Sequence, residues 1–100
     1  MKVISSNRAD FELTEIYHYI ALDSPFYASK TLNNIYSLIF LLTTFPYIGR
    51  YVPEYQNKLY RELIYKHYRI IYKLTNNIIK IQTVIHTSRD FYSYFSKSNF

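Results

Sequence analysis

The chain has 100 residues, 49% of them apolar, which is the size of one domain with a single core and leaves little room for a second. It contains no cysteine, which excludes disulfides and thiolate metal sites and suits a reducing cytoplasm. The net charge of +5 comes from the second half, since residues 1–49 carry three Lys/Arg against four Asp/Glu and residues 50–100 carry nine against three; this favours a polyanionic partner such as nucleic acid, or else a merely basic surface.

The first half predicts a short strand and two helices. Residues 1–6 are interpreted as the strand, without the apolar segment of a signal peptide. Asn7 is the predicted N-cap of a helix from Arg8 to about Leu22. Its apolar stripe is expected to comprise Phe11, Leu13, Ile16, Tyr19 and Ile20.

The segment Asp23-Ser24-Pro25 breaks this helix and begins the next. Ser24 is the predicted N-cap and Pro25 the first helical residue of a second helix that runs to about Thr43. The short link predicts an antiparallel helical hairpin. The longest apolar run, "LIFLL" at 38–42, is too short to cross a bilayer, so no membrane partner is expected.

The second half predicts a loop and three strands. Two prolines and the only glycine lie in 45–58, which is therefore predicted to be a loop. Strands are predicted at 59–65, 68–74 and 78–86, with turns at Lys66-His67 and Asn76-Asn77, and the tail at about 93–100 is expected to fray. The order β-α-α-β-β-β predicts a single two-layer α+β domain, 1–100, in which the N-terminal strand and helical hairpin pack on an antiparallel sheet.

Alternation along the strands separates two faces of this sheet. A two-residue link pairs Tyr65 with Tyr68, so that Leu63, Ile70 and Leu74 share the face under the helices, joined by Ile79, Ile81 and Ile85. The other face is expected to carry Tyr60, Glu62, Ile64, Arg69, Ile71 and Lys73, together with Ile78, Lys80, Gln82, Val84 and His86 of the last strand. Glu62 lies diagonally near Arg69 and Lys73, within reach for ion pairing. This face is either a solvated surface with weak salt bridges or a basic binding surface.

The stretch "HYRIIYKL", followed by a turn and a strand ending in "VIHTSRDF", resembles the RelE/ParE superfamily of toxins from type II toxin–antitoxin systems, the plasmid stabilisation proteins. The segments "ADFELTEIYHYIALDSPFYA", "FPYIGRYVPE" and "RELI" are similar to the first helix and turn, the loop and the next strand of the family, so the resemblance covers about residues 1–92. It implies a cytoplasmic growth inhibitor that needs no cofactor and is neutralised by a cognate antitoxin. Operator DNA would be bound only through the toxin–antitoxin complex.

RelE-like members cut mRNA in the ribosomal A site, which needs a base, phosphate-binding cations and an acid. By resemblance, Arg69 and Arg89 would bind phosphate in such a metal-independent endoribonuclease. Glu62 would be a general base or a structural partner of Arg69, and His86 an acid or base. RelE has two lysines where this chain has Tyr60 and Glu62. RNA or another target would contact Tyr60, Lys73, Lys80, Tyr92 and Tyr94.

The missing lysines and the "HTSRD" ending are closer to ParE-like members, which inhibit DNA gyrase. We therefore expect a ParE-like gyrase inhibitor. The alternatives are a RelE-like mRNA interferase and a degenerate toxin that retains only antitoxin binding. The antitoxin is expected to contact Tyr27, Tyr36 and Ile39. The histidines at 18, 67 and 86 lack ligand spacing, so no metal site is expected.

Overall fold

The computed structural model describes residues 1–89 and has the predicted order of elements with one addition. The elements are β1 (Lys2–Ser5), α1 (Asn7–Ala21), α2 (Pro25–Leu41), β2 (Arg50–Tyr51), β3 (Tyr60–Tyr65), β4 (Tyr68–Thr75) and β5 (Ile78–His86). The prediction that 45–58 is entirely loop is wrong at β2, which pairs antiparallel with β3 through Arg50 opposite Glu62. The predicted frayed tail lies outside the described residues.

The start of α1 is capped by Ser6, one residue before the predicted Asn7. The Ser6 hydroxyl accepts a hydrogen bond from the Ala9 amide at 2.9 Å and donates one to the Gln82 carbonyl at 2.8 Å. A hydroxyl can make both bonds at once, so Ser6 caps the helix and also ties it to β5. Asn7 is consequently the first helical residue rather than the cap.

The buried side of α1 is rotated from the predicted stripe. Phe11 and Tyr19 are 65% and 75% exposed, so their assignment to the core is wrong. The buried residues are Ala9, Glu12 and Leu13. A carboxylate replaces an apolar side chain here because Glu12 bonds to the backbone of β5, which turns this side of the helix toward the sheet.

The start of α2 agrees with the prediction. The Ser24 hydroxyl accepts a hydrogen bond from the Tyr27 amide at 3.0 Å, and Pro25 is the first helical residue. The helix ends at Leu41, two residues before the predicted Thr43. α1 and α2 form the predicted hairpin and pack on one side of the sheet.

The sheet has the strand order β1-β5-β4-β3-β2. Its β3–β4–β5 part is antiparallel, and β1 adds to β5 in parallel. The β3–β4 register is the predicted one, with Tyr65 opposite Tyr68 and Leu63 opposite Ile70. The predicted turn at Asn76-Asn77 is also present, with both residues at positive φ (47° and 63°), which asparagine tolerates better than most residues.

A β-bulge in β5 exchanges the two faces of that strand. Ile71 lies opposite Thr83, but the next residue, Tyr72, lies opposite Ile81, so Gln82 is an extra residue. Beyond it, Val84 belongs to the core under the helices and Ile85 to the other side of the sheet. The predicted faces of Val84, His86 and Ile85 are wrong, because simple alternation does not allow for the inserted residue.

The main core lies between the helices and the sheet. Its fully buried members include Ile35 and Leu42 from the helical region, Ile70 and Tyr72 from β4, and Ile79 and Ile81 from β5. These side chains are removed from water by apolar contacts with both layers, which is the main source of stability for a domain of this size.

The opposite face of the sheet is half covered by the loop between β2 and β3. Val52 is 2% exposed and packs with Tyr60, Ile71 and Ile85, while Tyr55 contacts the ring of Tyr60 edge-on at 5.0 Å between centroids. We refer to this side as the loop face. The expectation of a solvated or basic face is therefore wrong for this half, because the loop folds over it.

Candidate functional site

Arg69 lies under the loop on the loop face, where its guanidinium binds two carboxylates. Its Nη1 and Nη2 donate to the two oxygens of Glu54 at 2.7 Å each, and its Nε donates to Glu62 Oε1 at 2.7 Å. The Arg69 side chain is 9% exposed and that of Glu62 is 0% exposed. The fork to Glu54 is the bidentate geometry that guanidinium and carboxylate groups favour.

A second arginine completes this group of charges. Arg50 Nε donates to Glu62 Oε2 at 2.7 Å, so Glu62 accepts from two arginines. We call Arg50, Glu54, Glu62 and Arg69 the ion-pair network; its formal charges sum to zero. The hydrogen bond from Arg69 lowers the pKa of Glu54, and the same bond is the main cause that raises the pKa of Arg69.

The predicted pairing of Glu62 with Arg69 is confirmed, but its pairing with Lys73 is wrong. Lys73 Nζ instead lies over the Tyr60 ring, 5.4 Å from its centroid. Arg50 occupies the place expected for Lys73, because β2 brings it directly opposite Glu62. Sequence reasoning missed Arg50 and Glu54 since both lie in the segment predicted to be a loop.

The residues expected to contact the target are divided between exposed and buried positions. Tyr60 is 1% exposed, so its expected exposure is wrong, and burial raises the pKa of its hydroxyl. Lys73 and Lys80 lie directly opposite each other on β4 and β5, with Lys80 exposed and Lys73 half-buried. Adjacent like charges repel, so the contact between Lys73 and Lys80 does not itself stabilise the sheet. Tyr92 and Tyr94 lie outside the described residues.

His86 and Arg89 lie apart from the ion-pair network. Both line a groove of about 680 Å³ between α1 and the ends of β4 and β5, beside Glu15 and Tyr68. Tyr68 packs against the core under the helices, so this groove opens on the helical side of the sheet, opposite Arg69. The residues expected to cleave RNA together are therefore separated by the sheet.

His86 is held by neighbours at the end of β5. Its Nδ1 lies 2.7 Å from the Ser88 hydroxyl and accepts from the Ser88 amide at 3.1 Å, and its ring stacks on His67 at 5.7 Å between centroids. These contacts orient an exposed imidazole. The Arg89 side chain is exposed and lines the same groove.

Glu12 is a buried carboxylate at the wall of this groove. Its Oε1 accepts from the Thr83 hydroxyl at 2.7 Å and from the Val84 amide at 3.0 Å. β1 stops at Ser5, so β5 would have an unpaired edge beyond it, and Glu12 satisfies part of that edge. Burial raises the pKa of Glu12 despite these hydrogen bonds.

Two of the three residues expected to bind the antitoxin share a second groove. Tyr36, 52% exposed, and half-buried Ile39 line a groove of about 700 Å³ with Phe40 of α2 and with Met1 and Val3. The groove runs beside β1, an edge strand of the sheet. Tyr27 lies elsewhere on α2, where its hydroxyl accepts a hydrogen bond from Lys66 at 2.8 Å.

Within residues 1–89, no cluster of three or more His, Cys, Asp or Glu side chains could hold a metal ion. Over the same residues, every helix is too short or too polar to cross a bilayer.

Comparisons with known proteins agree with the fold and extend it. A solved structure described as a chromosomal ParDE toxin–antitoxin system from P. aeruginosa superposes with a TM-score of 0.73 at 21% identity, over 88% of this chain and 97% of that one. A search of curated proteins found no match. The family model for the ParE toxin of the type II toxin–antitoxin system parDE matches residues 3–91. The resemblance identified in the sequence is thereby confirmed, and the chain belongs to the ParE family of toxins of type II toxin–antitoxin systems.

Proposed function

We propose that this toxin inhibits growth by binding DNA gyrase in the cytoplasm and does not cleave RNA. The observation that carries the proposal is the ion-pair network, because it occupies the arginine on which RelE-like cleavage would depend. Glu54 and Glu62 enclose Arg69, accept hydrogen bonds from its Nε, Nη1 and Nη2, and neutralise the charge that would otherwise attract a phosphate. A toxin without this chemistry acts by binding, and gyrase is the target that the ParE resemblance implies.

The remaining candidates for catalysis support the same proposal. RNA cleavage requires a base, an acid and a cation within hydrogen-bonding distance of one phosphodiester. Glu62 has a side chain that is 0% exposed and already accepts hydrogen bonds from two arginines, so it is poorly placed to take a proton from a ribose hydroxyl. Lys73 and Lys80 can attract a polyanion, but they lie opposite each other at the other end of the β4–β5 pair from His86, so they are not placed to act with it on one phosphodiester.

A RelE-like endoribonuclease is the second candidate, and one observation favours it. His86 and Arg89 share a groove with Glu15, so an imidazole, a guanidinium and a carboxylate lie close together without the ion-pair network. Under this alternative, cleavage would take place on the helical side of the sheet. Replacing Arg89 would then abolish cleavage, whereas replacing Lys73 would leave the cleavage rate unchanged.

We further propose that the cognate antitoxin lies in the groove beside β1, where Tyr36 and Ile39 contribute an apolar wall. An edge strand has unpaired backbone groups, so an extended antitoxin segment can pair with β1 while its apolar side chains enter the groove. Operator DNA would be bound by the resulting complex.

The test compares two reactions with the same protein preparations. Purified toxin is added to a gyrase supercoiling reaction and, separately, to ribosomes programmed with mRNA whose 5′ ends are then mapped. We expect inhibited supercoiling and intact mRNA. The Lys73→Ala/Lys80→Ala variant should weaken the inhibition, whereas Lys30→Ala, an exposed lysine on α2, should not.

Each alternative has its own outcome in this experiment. A-site cleavage that disappears in Arg89→Ala would overturn the gyrase proposal in favour of the endoribonuclease. A toxin that leaves both reactions unchanged but binds its antitoxin would indicate the degenerate form. Inhibition of supercoiling that survives in Lys73→Ala/Lys80→Ala would retain gyrase as the target and reject these lysines as its contact.

A further inference from the structure

The basic charge of the second half also collects at a second place, on the edge of the sheet formed by β2 and β3. Arg61 Cζ lies over the Tyr51 ring at 4.3 Å from its centroid and over the Tyr47 ring at 5.3 Å. Lys58 Nζ lies over the same Tyr51 ring at 4.4 Å. We call Tyr47, Tyr51, Lys58 and Arg61 the edge cluster.

The cations of the edge cluster keep their charge available. Within residues 1–89, neither Lys58 nor Arg61 forms a salt bridge with a carboxylate, whereas Arg50 and Arg69 nearby are both neutralised. Aromatic faces stabilise a cation without cancelling its charge. Two positive charges are therefore held against one aromatic ring, that of Tyr51.

Hydrogen bonds fix the segment between α2 and β2, residues 42–49, which carries Tyr47 of the edge cluster. Arg61 Nη1 donates to the Gly49 carbonyl at 2.7 Å and to the Tyr47 carbonyl at 3.2 Å. The Tyr72 hydroxyl, rising from the core, donates to the Pro46 carbonyl and accepts from the Gly49 amide, both at 3.0 Å. Since Arg61 uses Nη1 to bind the segment between α2 and β2, its other nitrogens are the ones that can donate to an anion.

The aromatic members suit an unpaired base better than an acidic peptide. Tyr47 is 67% exposed and Tyr51 46% exposed, and hydrophobic Phe45 and Ile48 beside them are more than half exposed. A run of carboxylates would use the two cations but would leave these rings in water. A nucleic-acid strand uses both, since its phosphates neutralise the cations while its bases stack on the rings.

We propose that the edge cluster binds single-stranded nucleic acid, with a phosphodiester at Lys58 and Arg61 and an unpaired base against Tyr47. None of the four residues lines either groove. Arg61 lies opposite Tyr72 and Lys73 lies opposite Tyr60, so Arg61 and Lys73 project from opposite faces of the sheet. The site does not depend on the target proposed above. It explains why the basic charge of the second half is not confined to the face that the family resemblance indicated.

Fluorescence anisotropy with a labelled 12-nucleotide oligo(dT) tests this proposal on the full chain. We expect Tyr47→Ala to weaken binding about 5- to 150-fold, the range that loss of one stacked base produces. Lys58→Ala should weaken binding and reduce the slope of log K against log salt by about 0.7, the value for one phosphate contact on a single strand. Arg61 is not replaced, because its loss would also remove the hydrogen bonds that fix the segment between α2 and β2.

The matched control replaces an aromatic and a basic residue of similar exposure on α2, Phe26→Ala and Lys30→Ala, neither of which should change the binding. A 12-unit abasic strand and a polyglutamate peptide are the competing probes. The proposal is overturned if oligo(dT) fails to bind at 50 mM salt, if edge-cluster and control variants bind alike, or if the abasic strand or polyglutamate binds as tightly as oligo(dT). Equal binding by polyglutamate would assign the cluster to an acidic protein partner instead. No gyrase is present in the assay, so its outcome is independent of the proposed target.

Discussion

Replacement of Arg69 by methionine should destabilise the fold strongly. Methionine keeps much of the apolar length of arginine but removes the charge, so Glu54 and Glu62 are left facing each other under the loop. Breaking a buried ion pair by removing one partner costs about 3–5 kcal/mol. Glu62 retains its bond to Arg50, so we expect the lower end of this range, about 3 kcal/mol.

Urea denaturation followed by circular dichroism measures this loss. In a thermal melt of a chain of this length, a loss of about 3 kcal/mol would lower Tm by roughly 12–24 °C. The control is Lys73→Met on the same strand and the same face. Lys73 is half-buried and forms no salt bridge within residues 1–89, so this change should alter stability by less than about 1 kcal/mol. In the Arg69→Met background, Glu54→Gln and Glu62→Gln should restore part of the loss, since they remove the stranded negative charges.

The opposite result would refute both the structural and the functional reasoning. An Arg69→Met variant that loses less than about 1 kcal/mol would place the guanidinium on a solvated surface, where single substitutions cost little. Arg69 would then be accessible to phosphate, and the endoribonuclease would become the better proposal. Loss of toxicity in an Arg69 variant is informative only when the folded fraction is measured alongside it.

Three further predictions concern the loop, the buried carboxylate and the antitoxin groove. A Cβ at Gly49 would lie 2.5 Å from the Tyr72 hydroxyl oxygen and 2.7 Å from the Glu62 carbonyl oxygen. Gly49→Ala should therefore destabilise the fold by about 1–3 kcal/mol in urea denaturation. Unchanged stability would mean that the segment between α2 and β2 can shift without loss of free energy. Because the pKa of Glu12 is raised in the folded state, its protonated form contributes stability that is present below pH 4.5, the ordinary pKa of the group, and lost as pH rises through the folded-state pKa. The stability of the native chain should therefore decline between these two pKa values, and Glu12→Gln should abolish the decline. Identical pH profiles of the two proteins would contradict burial as the cause. Tyr36→Asp, which places a charge in the apolar groove beside β1, should weaken antitoxin binding more than tenfold by calorimetry, while Phe26→Ala should leave it unchanged; equal affinities would move the antitoxin away from this groove.

The parts of the fold that rest on local rules could be predicted from the sequence. Ser24-Pro25 determines the start of α2, and the two-residue link at Lys66-His67 determines the β3–β4 register, because both depend on neighbouring residues alone. The position of Glu62 on the face of the sheet away from the helices, and its contact with Arg69, followed from that register. Alternation along a regular hairpin is therefore enough to place one ion pair of the network.

The rest depended on contacts between distant parts of the chain. Nothing in "GRYVPEY" distinguishes a free loop from one that adds a short strand and folds over the sheet; Arg50 and Glu54 acquire their roles only when Glu62 and Arg69 are already in place. The rotation of α1 likewise depends on Glu12 meeting a β5 edge that β1 leaves uncovered. Charged residues in loops near a predicted pair of opposite charges are the signal that could have indicated such a network.

The bulge at Gln82 connects the fold to the choice of function. If β5 alternated regularly to its end, Arg69 and His86 would project from the same side of the sheet, and the arrangement expected for RNA cleavage could form there. One inserted residue moves His86 to the helical side and leaves Ile85 beside Ile71, where it helps to close the loop face over the ion-pair network. The same insertion thus separates the acid–base candidate from the phosphate-binding candidate. Deletion of Gln82 would remove the bulge but leave Val84 opposite Ile70 and His86 opposite Tyr68, so it would not bring the two candidates together. Regular pairing that retained Gln82 would have to turn Val84 out of the main core, so the separation of these groups is maintained by core packing rather than by the groups themselves.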